Sequence, residues 1–211
     1  VSASPVLGAS PLWLGCKCWT CKAFRCRAAL PALTISPTKM AFMSYAASSQ
    51  ATRFMLSHPA HWVAMGFGSG LSPWAPGTVG TLWAWASFLL MSYWLDSTQI
   101  AWVLTAALPL GWWVSTITAD HMQVNDPSSI VWDEIAAFWW VLFIWMPAGF
   151  GGQFAAFILF RLFDAIKPGP VGWADQAFHG QGWRGGFGIM FDDMVAAFCT
   201  LLTLALWQAT Q

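Results

Sequence analysis

The sequence predicts an all-α membrane protein, folded as one polytopic helical bundle with about four to five membrane-associated helices. Of its 211 residues, 57% are hydrophobic, 17% are aromatic and 9% are charged, whereas about a quarter of the residues in a soluble domain are charged. The apolar stretches favour helices, because strands of a membrane barrel would alternate polar and apolar residues. The length fits one bundle without a separate soluble domain.

Polar breaks divide the apolar part of the chain into five candidate membrane spans. A full span needs about 20 residues. The third and fourth candidates are shorter, so they tilt, begin inside the neighbouring acidic motifs or form a re-entrant pair. In chain order, the candidates are Val79–Leu95, Gln99–Thr118, Ile135–Ala148, Gln153–Ile166 and Met194–Trp207.

Five crossings would place every rich polar motif on the same side of the membrane. The segments Gly66–Gly80, Asp120–Glu134 and Asp164–Asp193 then share one face, and the connections on the opposite face hold no Lys or Arg. Because cytoplasmic loops carry an excess of Lys and Arg, the shared face is expected to be cytoplasmic. The basic residues on it are Arg53, Arg161, Lys167 and Arg184.

The first forty residues differ from the rest of the chain. They are rich in Cys, Pro and Ser and contain no apolar stretch long enough to span a membrane. Their cysteines follow the spacing C-x-C-x2-C-x4-C, which lacks the paired C-x2-C motifs of common structural zinc sites. We therefore expect residues 1–40 to be a disordered or artefactual extension, and residues 41–211 to form a single membrane domain.

The charge of the membrane domain is acidic. Five of the nine basic residues lie in the first forty positions, so residues 41–211 hold four basic and nine acidic residues, a formal charge of −5. This balance argues against nucleic-acid binding, which needs a basic face. Ionisable residues at membrane depth mark functional sites, and an acidic excess there suggests bound cations.

A glycine-rich segment, GFGSGLSPWAPGTVG, precedes the first apolar stretch. Its glycines and prolines exclude a regular helix over its whole length. Glycines let backbone N–H groups approach an anion, so the segment is a candidate phosphate-binding loop before a helix N-terminus. An ordinary connecting loop is the competing interpretation. The phosphate-binding candidates are Ser72, Gly77 and Thr78.

A second motif, SSIVWDEIAAF, carries two adjacent carboxylates, Asp133 and Glu134, with Ser128 or Ser129 as the expected helix N-cap. Carboxylate oxygens are the ligands that hard divalent cations prefer. Alternatively, acidic residues in a first helical turn merely complement the helix dipole, which contributes less than about 1 kcal/mol at exposed sites.

A third motif, FRLFDAIKPGP, places Arg161, Asp164 and Lys167 at every third residue, so they are expected to share a helical face before Pro168 ends the helix. Asp164 is a candidate metal ligand, and the two cations are candidate partners of phosphate oxygens. A structural stripe of ion pairs is the competing interpretation.

The fourth motif, GGFGIMFDDMVAAF, repeats the pattern of paired carboxylates. Asp192 and Asp193 are expected to follow a glycine turn and to precede the last span.

Together these strings resemble the phosphatidylglycerophosphatase A family of lipid phosphatases. The resemblance covers roughly His58 to Ala197, through GFGSGLSPWAPGTVGT, IVWDE, FRLFDAIKPGPVGW with Asp175, and GGFGIMFDDMVA, in the family's order. It implies a Mg²⁺-dependent phosphatase of the bacterial inner membrane, in addition to the multi-pass topology and cytoplasmic site expected from the spans and the basic residues. The implied reaction, in phospholipid biosynthesis, removes the terminal phosphate of phosphatidylglycerophosphate to give phosphatidylglycerol. Oligomeric state stays open.

The resemblance also suggests roles for individual residues. Arg161 and Lys167 would lie near the phosphate, and His179 is a candidate general acid for the leaving alkoxide. The sequence departs from the family pattern in an insertion, Gln181–Gly185, which leaves the position of His179 open, and at Ala197, where a glycine is usual. The suggested catalytic and Mg²⁺-binding carboxylates are Asp133, Glu134, Asp164, Asp192 and Asp193.

Other classes of membrane protein fit the sequence less well. A cation transporter or channel subunit is the alternative function, but it would need carboxylates spread through the membrane depth and open to both faces. The CDP-alcohol phosphotransferases also use carboxylates and Mg²⁺, but the sequence contains no D-G-x2-A-R string.

Overall fold

All regular structure in the described residues is helical, as the sequence predicts. The computed structural model describes residues 49–123, 127–178 and 182–210, which belong to one compact unit, Pro37–Gln211. The predicted N-terminal extension, its cysteines and His179 therefore lie outside the described residues.

The helices follow one another with short connections. Residues 49–57 form α1 as far as it is described, and a 3-10 segment, Gly66–Leu71, follows the short second helix. The remaining helices are α2 (Pro59–Ala64), α3 (Pro76–Trp94), α4 (Ser97–Met122), α5 (Trp132–Trp145), α6 (Phe150–Ile166), α7 (Pro170–Ala177) and α8 (Trp183–Ala209).

Local sequence signals explain where several helices begin. Pro76 and Pro170 occupy the first turns of α3 and α7, where a missing N–H costs nothing. Asp96 caps α4: its side chain accepts a hydrogen bond from Gln99 N, and the Gln99 side chain accepts one from Asp96 N. This reciprocal capping box satisfies two backbone donors that the helix itself leaves unpaired.

The last helix, α8, lies at the centre of the bundle. It packs against α4, α5, α6 and α7, while α5 also packs against α3 and α4. Fully buried side chains from these helices form the core, among them Leu104, Phe138, Phe160 and Leu204. Helices with apolar residues on nearly every face can bury one side against neighbours and leave the other for lipid.

Each predicted span overlaps one helix, namely α3, α4, α5, α6 or α8. Among the described residues, only α4 and α8 are both long and apolar enough to cross a membrane. With 14 and 17 residues, α5 and α6 fall short of the usual span. The number of crossings and the cytoplasmic orientation therefore stay predictions.

The expected glycine turn before Asp192 is wrong, because α8 begins at Trp183 and runs through GGFG without a break. The reason is close helix packing. A Cβ on Gly186 would lie 2.0 Å from Thr116 Oγ1, so the missing side chain lets α8 approach α4. Gly186 therefore allows two helices to pack closely and does not form a turn.

Candidate active site

The described structure contains a cavity of about 280 Å³ at one end of α5 and α6. Residues of α3, α5, α6 and α8, and of the connections next to α3, α5 and α6, form its walls. All five carboxylates proposed from the sequence line it, together with Arg161 and Lys167. The complete lining consists of Ala75, Pro76, Gly77, Ser128, Ile130, Asp133, Glu134, Arg161, Asp164, Lys167, Asp192 and Asp193.

Glu134 lies in the first turn of α5 and packs against the start of α3. Its carboxylate occupies space that a side chain on Gly77 would fill, because a Cβ there would lie 2.0 Å from Glu134 Oε1. The Thr81 hydroxyl donates to Glu134 Oε2 at 3.3 Å. The glycine-rich segment therefore contributes to the cavity by admitting a carboxylate.

The expected serine N-cap of α5 is wrong. Val131 is the N-cap, and it makes no side-chain capping bond. A turn closed by a hydrogen bond from Ile130 N to Pro127 O, followed by a bond from Val131 N to Ala64 O, separates Ser128 from the helix. Tertiary contact with α2 thus replaces the local cap, and Ser128 lines the cavity instead.

Arg161 links two of the carboxylates. Its Nη1 atom donates to Asp164 Oδ2 at 2.5 Å and lies 3.1 Å from Glu134 Oε1. Asp164 is one turn further along α6, whereas Glu134 comes from α5. The guanidinium therefore joins two helices at the cavity wall and offsets part of their acidic charge.

Lys167 does not continue the helical face of Arg161 and Asp164, because α6 ends at Ile166 and Lys167 is its C-cap in the left-handed region, with φ of 48°. Its ammonium pairs with Asp192 Oδ2 at 2.6 Å and with Asp175 on α7. Burial lowers the pKa of Lys167, but the hydrogen bonds to Asp175 and Asp192 outweigh burial and raise the pKa above its ordinary value.

Asp192 and Asp193 lie well inside α8, about ten residues from its start. Asp193 is only 3% exposed, and its Oδ2 atom has no hydrogen-bond partner among the described residues. Asp193 also lies close enough to four other carboxylates to be repelled by their charge, namely Asp133, Glu134, Asp164 and Asp192. A carboxylate buried among other carboxylates is costly without a proton or a cation beside it.

Charge and donor type fit a divalent cation. Five carboxylates and two cations give the cavity lining a formal charge of −3, which repels a phosphate unless further positive charge enters. No group of three or more His, Cys, Asp or Glu side chains in residues 49–123, 127–178 and 182–210 is arranged to hold a metal ion. Mg²⁺ commonly uses one or two carboxylates and takes its other ligands from water and phosphate, so this arrangement is compatible with it.

The structure separates the three candidates of the glycine-rich segment. Gly77 lines the cavity, but Ser72 and Thr78 are not among its lining residues. The Ser72 hydroxyl instead donates to Trp74 O at 2.8 Å and stabilises the connection before α3. Their proposed contact with phosphate stays a prediction.

Asp175 is a charged neighbour of the site for which the sequence indicates no individual role. It lies on α7, outside the cavity lining, and pairs with Lys167. The sequence hides the contact because Pro168 and Pro170 interrupt the chain between Lys167 and Asp175, so no single helix or strand period can be carried from one residue to the other.

Comparison with known proteins identifies the family. Residues 62–208 match the sequence profile of phosphatidylglycerophosphatase A. The chain is 39% identical to phosphatidylglycerophosphatase A of Escherichia coli (strain K12) over 145 residues, 69% of this chain and 81% of the relative. It is 37% identical to phosphatidylglycerophosphatase A of Haemophilus influenzae (strain ATCC 51907 / DSM 11121 / KW20 / Rd) over 154 residues, 72% and 90% of the two chains.

A third relative, from Bacteroides thetaiotaomicron, is 32% identical over 149 residues, 68% of this chain and 89% of its own length. Phosphatidylinositol-3-phosphatase activity is proposed for that protein. No solved structure matches the chain. By its matched profile and these identities, the chain belongs to the phosphatidylglycerophosphatase A family and is a phosphatase, a hydrolase of phosphoric monoesters.

Proposed function

We propose that this phosphatase hydrolyses phosphatidylglycerophosphate to phosphatidylglycerol and inorganic phosphate in a Mg²⁺-dependent reaction of phospholipid biosynthesis. The observation that carries the proposal is the cavity in which all five carboxylates meet Arg161 and Lys167. The substrate follows from the two phosphatidylglycerophosphatase A relatives. Two membrane-length helices support access to a lipid.

Each type of side chain has a part in this reaction. Arg161 and Lys167 bind phosphate oxygens, the guanidinium through paired donors and the ammonium as a point charge. Mg²⁺, held by the carboxylates, would supply positive charge against the phosphate oxygens and a more acidic water. One carboxylate accepts the proton of the attacking water while the bond from phosphorus to the glycerol oxygen breaks. Asp193 is our candidate for this base, because it is buried and one of its oxygens has no hydrogen-bond partner among the described residues.

Direct attack by water is our preferred route over a covalent aspartyl phosphate. The leaving alkoxide needs a proton, and His179 stays the candidate donor from the sequence. The cavity face is proposed to be cytoplasmic and the membrane to be the bacterial inner membrane, because the loops predicted for that face carry the basic residues.

The alternative of a cation transporter or channel subunit is not supported. The family is one of phosphatases, and the carboxylates gather in one cavity, whereas a conduction path needs them along the membrane depth.

Phosphate release from defined lipids tests the proposal. The purified protein in detergent micelles is given phosphatidylglycerophosphate with Mg²⁺ or with EDTA, and phosphatidylinositol 3-phosphate serves as a comparison substrate. We expect release that requires Mg²⁺ and falls at least about a hundredfold in Asp164→Asn and Asp192→Asn. The matched control is Asp96→Asn, which removes a charge far from the cavity and keeps a capping residue.

Other outcomes would redirect the proposal. If the protein prefers phosphatidylinositol 3-phosphate, the proposed substrate is wrong. If phosphate release is undiminished in EDTA, the proposed Mg²⁺ dependence is wrong. No release from a folded wild type with either lipid would overturn the proposed reaction.

A further inference from the structure

The connection between α6 and α7 holds Lys167 in an unusual backbone conformation. Lys167 has φ of 48°, and Gly169 has φ of 45° on the other side of Pro168. A positive φ costs free energy for a residue with a Cβ, so the surrounding contacts must stabilise it. A bend of this kind directs the lysine stem away from the axis of α6 and toward the following helices.

Two carboxylates then hold the end of the side chain. Lys167 Nζ contacts Asp192 Oδ2 on α8 and Asp175 Oδ1 on α7. An ammonium has three N–H donors, and the bonds of Lys167 Nζ to described residues use two of them, which leaves the third for a ligand. The ammonium is half-buried where the three elements meet.

The two carboxylates differ in their relation to the cavity. Asp192 and Lys167 line it, whereas Asp175 is not among the lining residues. The backbone of Asp175 is held in place by packing, because Val171 and Ala174 of the same helix are buried and α7 packs against α8. Asp175 therefore holds the ammonium from outside the space in which a substrate would bind.

We propose that Asp175 is a positioning residue that keeps the Lys167 ammonium directed at the cavity so that it binds the phosphate of the substrate. This inference rests on the proposed function and deepens it. When a phosphate enters, its oxygens compete with Asp192 for the ammonium because both lie in the cavity. Asp175 is outside that competition, so Lys167 stays in place while it exchanges Asp192 for phosphate. Without Asp175, the flexible four-carbon stem would have no fixed partner in the bound state.

Steady-state kinetics of the full chain test the inference. Asp175→Asn keeps the size of the side chain and removes its charge. We expect it to raise KM for phosphatidylglycerophosphate about tenfold, in keeping with the loss of a charge-assisted hydrogen bond, and to change kcat less. The inhibition constant of inorganic phosphate should rise in parallel, because that probe carries no acyl chain. Asp175→Glu should recover most of the loss.

A double-mutant cycle separates positioning from a merely structural contribution. If Asp175 acts through Lys167, adding Asp175→Asn to Lys167→Met causes no further loss of kcat/KM. Losses that multiply in the double variant would overturn the inference, as would a wild-type KM in Asp175→Asn. Melting temperatures in detergent check folding. If Asp175→Asn does not fold, Asp175→Ala, which also removes the charge, is judged by the same KM criterion and the same cycle. An inactive wild type would overturn the proposed function itself. The Asp175 variants test only the role of Asp175 in an active enzyme.

Discussion

At the scale of single residues, the site depends on a side chain that is absent. Gly77 has no Cβ, and the carboxylate of Glu134 occupies the space where one would lie. The same carboxylate contacts Arg161, which also holds Asp164. Because Gly77 on α3 has no Cβ, there is room for the Glu134 carboxylate, and the ion-pair network between α5 and α6 can form.

Replacement of this glycine tests that dependence. In Gly77→Ala, the new Cβ would clash with Glu134 Oε1 at 2.0 Å, so Glu134 must move and the network with Arg161 must rearrange. We expect phosphatase activity to fall on the order of a hundredfold, as small misplacements in active sites do. The measurement is kcat/KM for phosphatidylglycerophosphate in detergent.

Gly151→Ala is the matched control. A Cβ on Gly151 meets nothing within 4 Å, and the residue is exposed in α6, so activity should stay at the wild-type level. Equal activities of the two variants would contradict a steric requirement at Gly77.

At the scale of helices, close approach between α4 and α8 depends on one glycine. Gly186→Ala would place a Cβ 2.0 Å from Thr116 Oγ1 and 2.9 Å from Thr116 Cα. The second atom belongs to the backbone, so rotation of the threonine side chain does not relieve the clash. We expect a loss of about 1–3 kcal/mol in the free energy of unfolding, typical of overpacking. A lower melting temperature in detergent would show it.

The same Gly151→Ala variant serves as the control for stability, since alanine is favoured over glycine in an open helical position. A Gly186→Ala protein as stable as the wild type would mean that α4 and α8 can separate without cost.

A second contact between helices predicts that the stability of the fold depends on pH. His61 on α2 is buried, its Nε2 lies 2.8 Å from His121 Nδ1 on α4, and its Nδ1 lies 3.0 Å from Phe54 O. Burial lowers the pKa of His61 below its ordinary 6.5. The hydrogen bond with Phe54 raises it by less, and His121 and His58 lower it further.

Because the unfolded chain then binds a proton more readily than the folded chain, stability falls as the pH decreases below about 6.5 and levels off below the folded pKa. We expect the melting temperature to drop between pH 8 and pH 5.5, and to drop less in His61→Asn, which lacks the titrating ring. Gly151→Ala changes no titratable group and should keep the wild-type slope. Equal slopes in His61→Asn and the wild type would contradict the assignment to His61.

At the scale of the whole molecule, two arrangements of α5 and α6 in the membrane make different predictions. If α5 and α6 each cross, their connection near Gly149 faces the side opposite to the cavity. If they form a re-entrant pair, that connection ends inside the bilayer. Their lengths of 14 and 17 residues leave both arrangements to experiment.

Labelling of single cysteines with a membrane-impermeant maleimide distinguishes them. We introduce Ser97→Cys, Gly149→Cys or Arg184→Cys, all at exposed positions, after replacing the native cysteines. With five crossings and a cytoplasmic cavity, the first two label in intact cells. Arg184→Cys labels only after permeabilisation.

Ser97→Cys is the reference for the outer side, because it begins the membrane-length helix α4. Labelling of Ser97→Cys but not of Gly149→Cys, before or after permeabilisation, would favour the re-entrant pair. Labelling of Arg184→Cys in intact cells would reverse the proposed orientation.

The sequence by itself determined the helical class and the chemical character of the site. Both depend on local properties: long apolar stretches favour helices, and the paired carboxylates of α5 and α8 stand out against an apolar background. It also predicted that the five carboxylates, Arg161 and Lys167 lie together, because five crossings return every motif to one side.

Only the tertiary structure decided which groups touch. The pairing of Lys167 with Asp175, the contact of Glu134 with Gly77, and the helical state of the string before Asp192 all depend on partners far along the chain. Glycine has no strong preference of its own, so it forms a turn or a close helix contact according to what packs against it. The turn and the N-cap expected from the sequence were wrong for this physical reason: a neighbouring helix satisfied the backbone or the packing where a local signal was expected to do so.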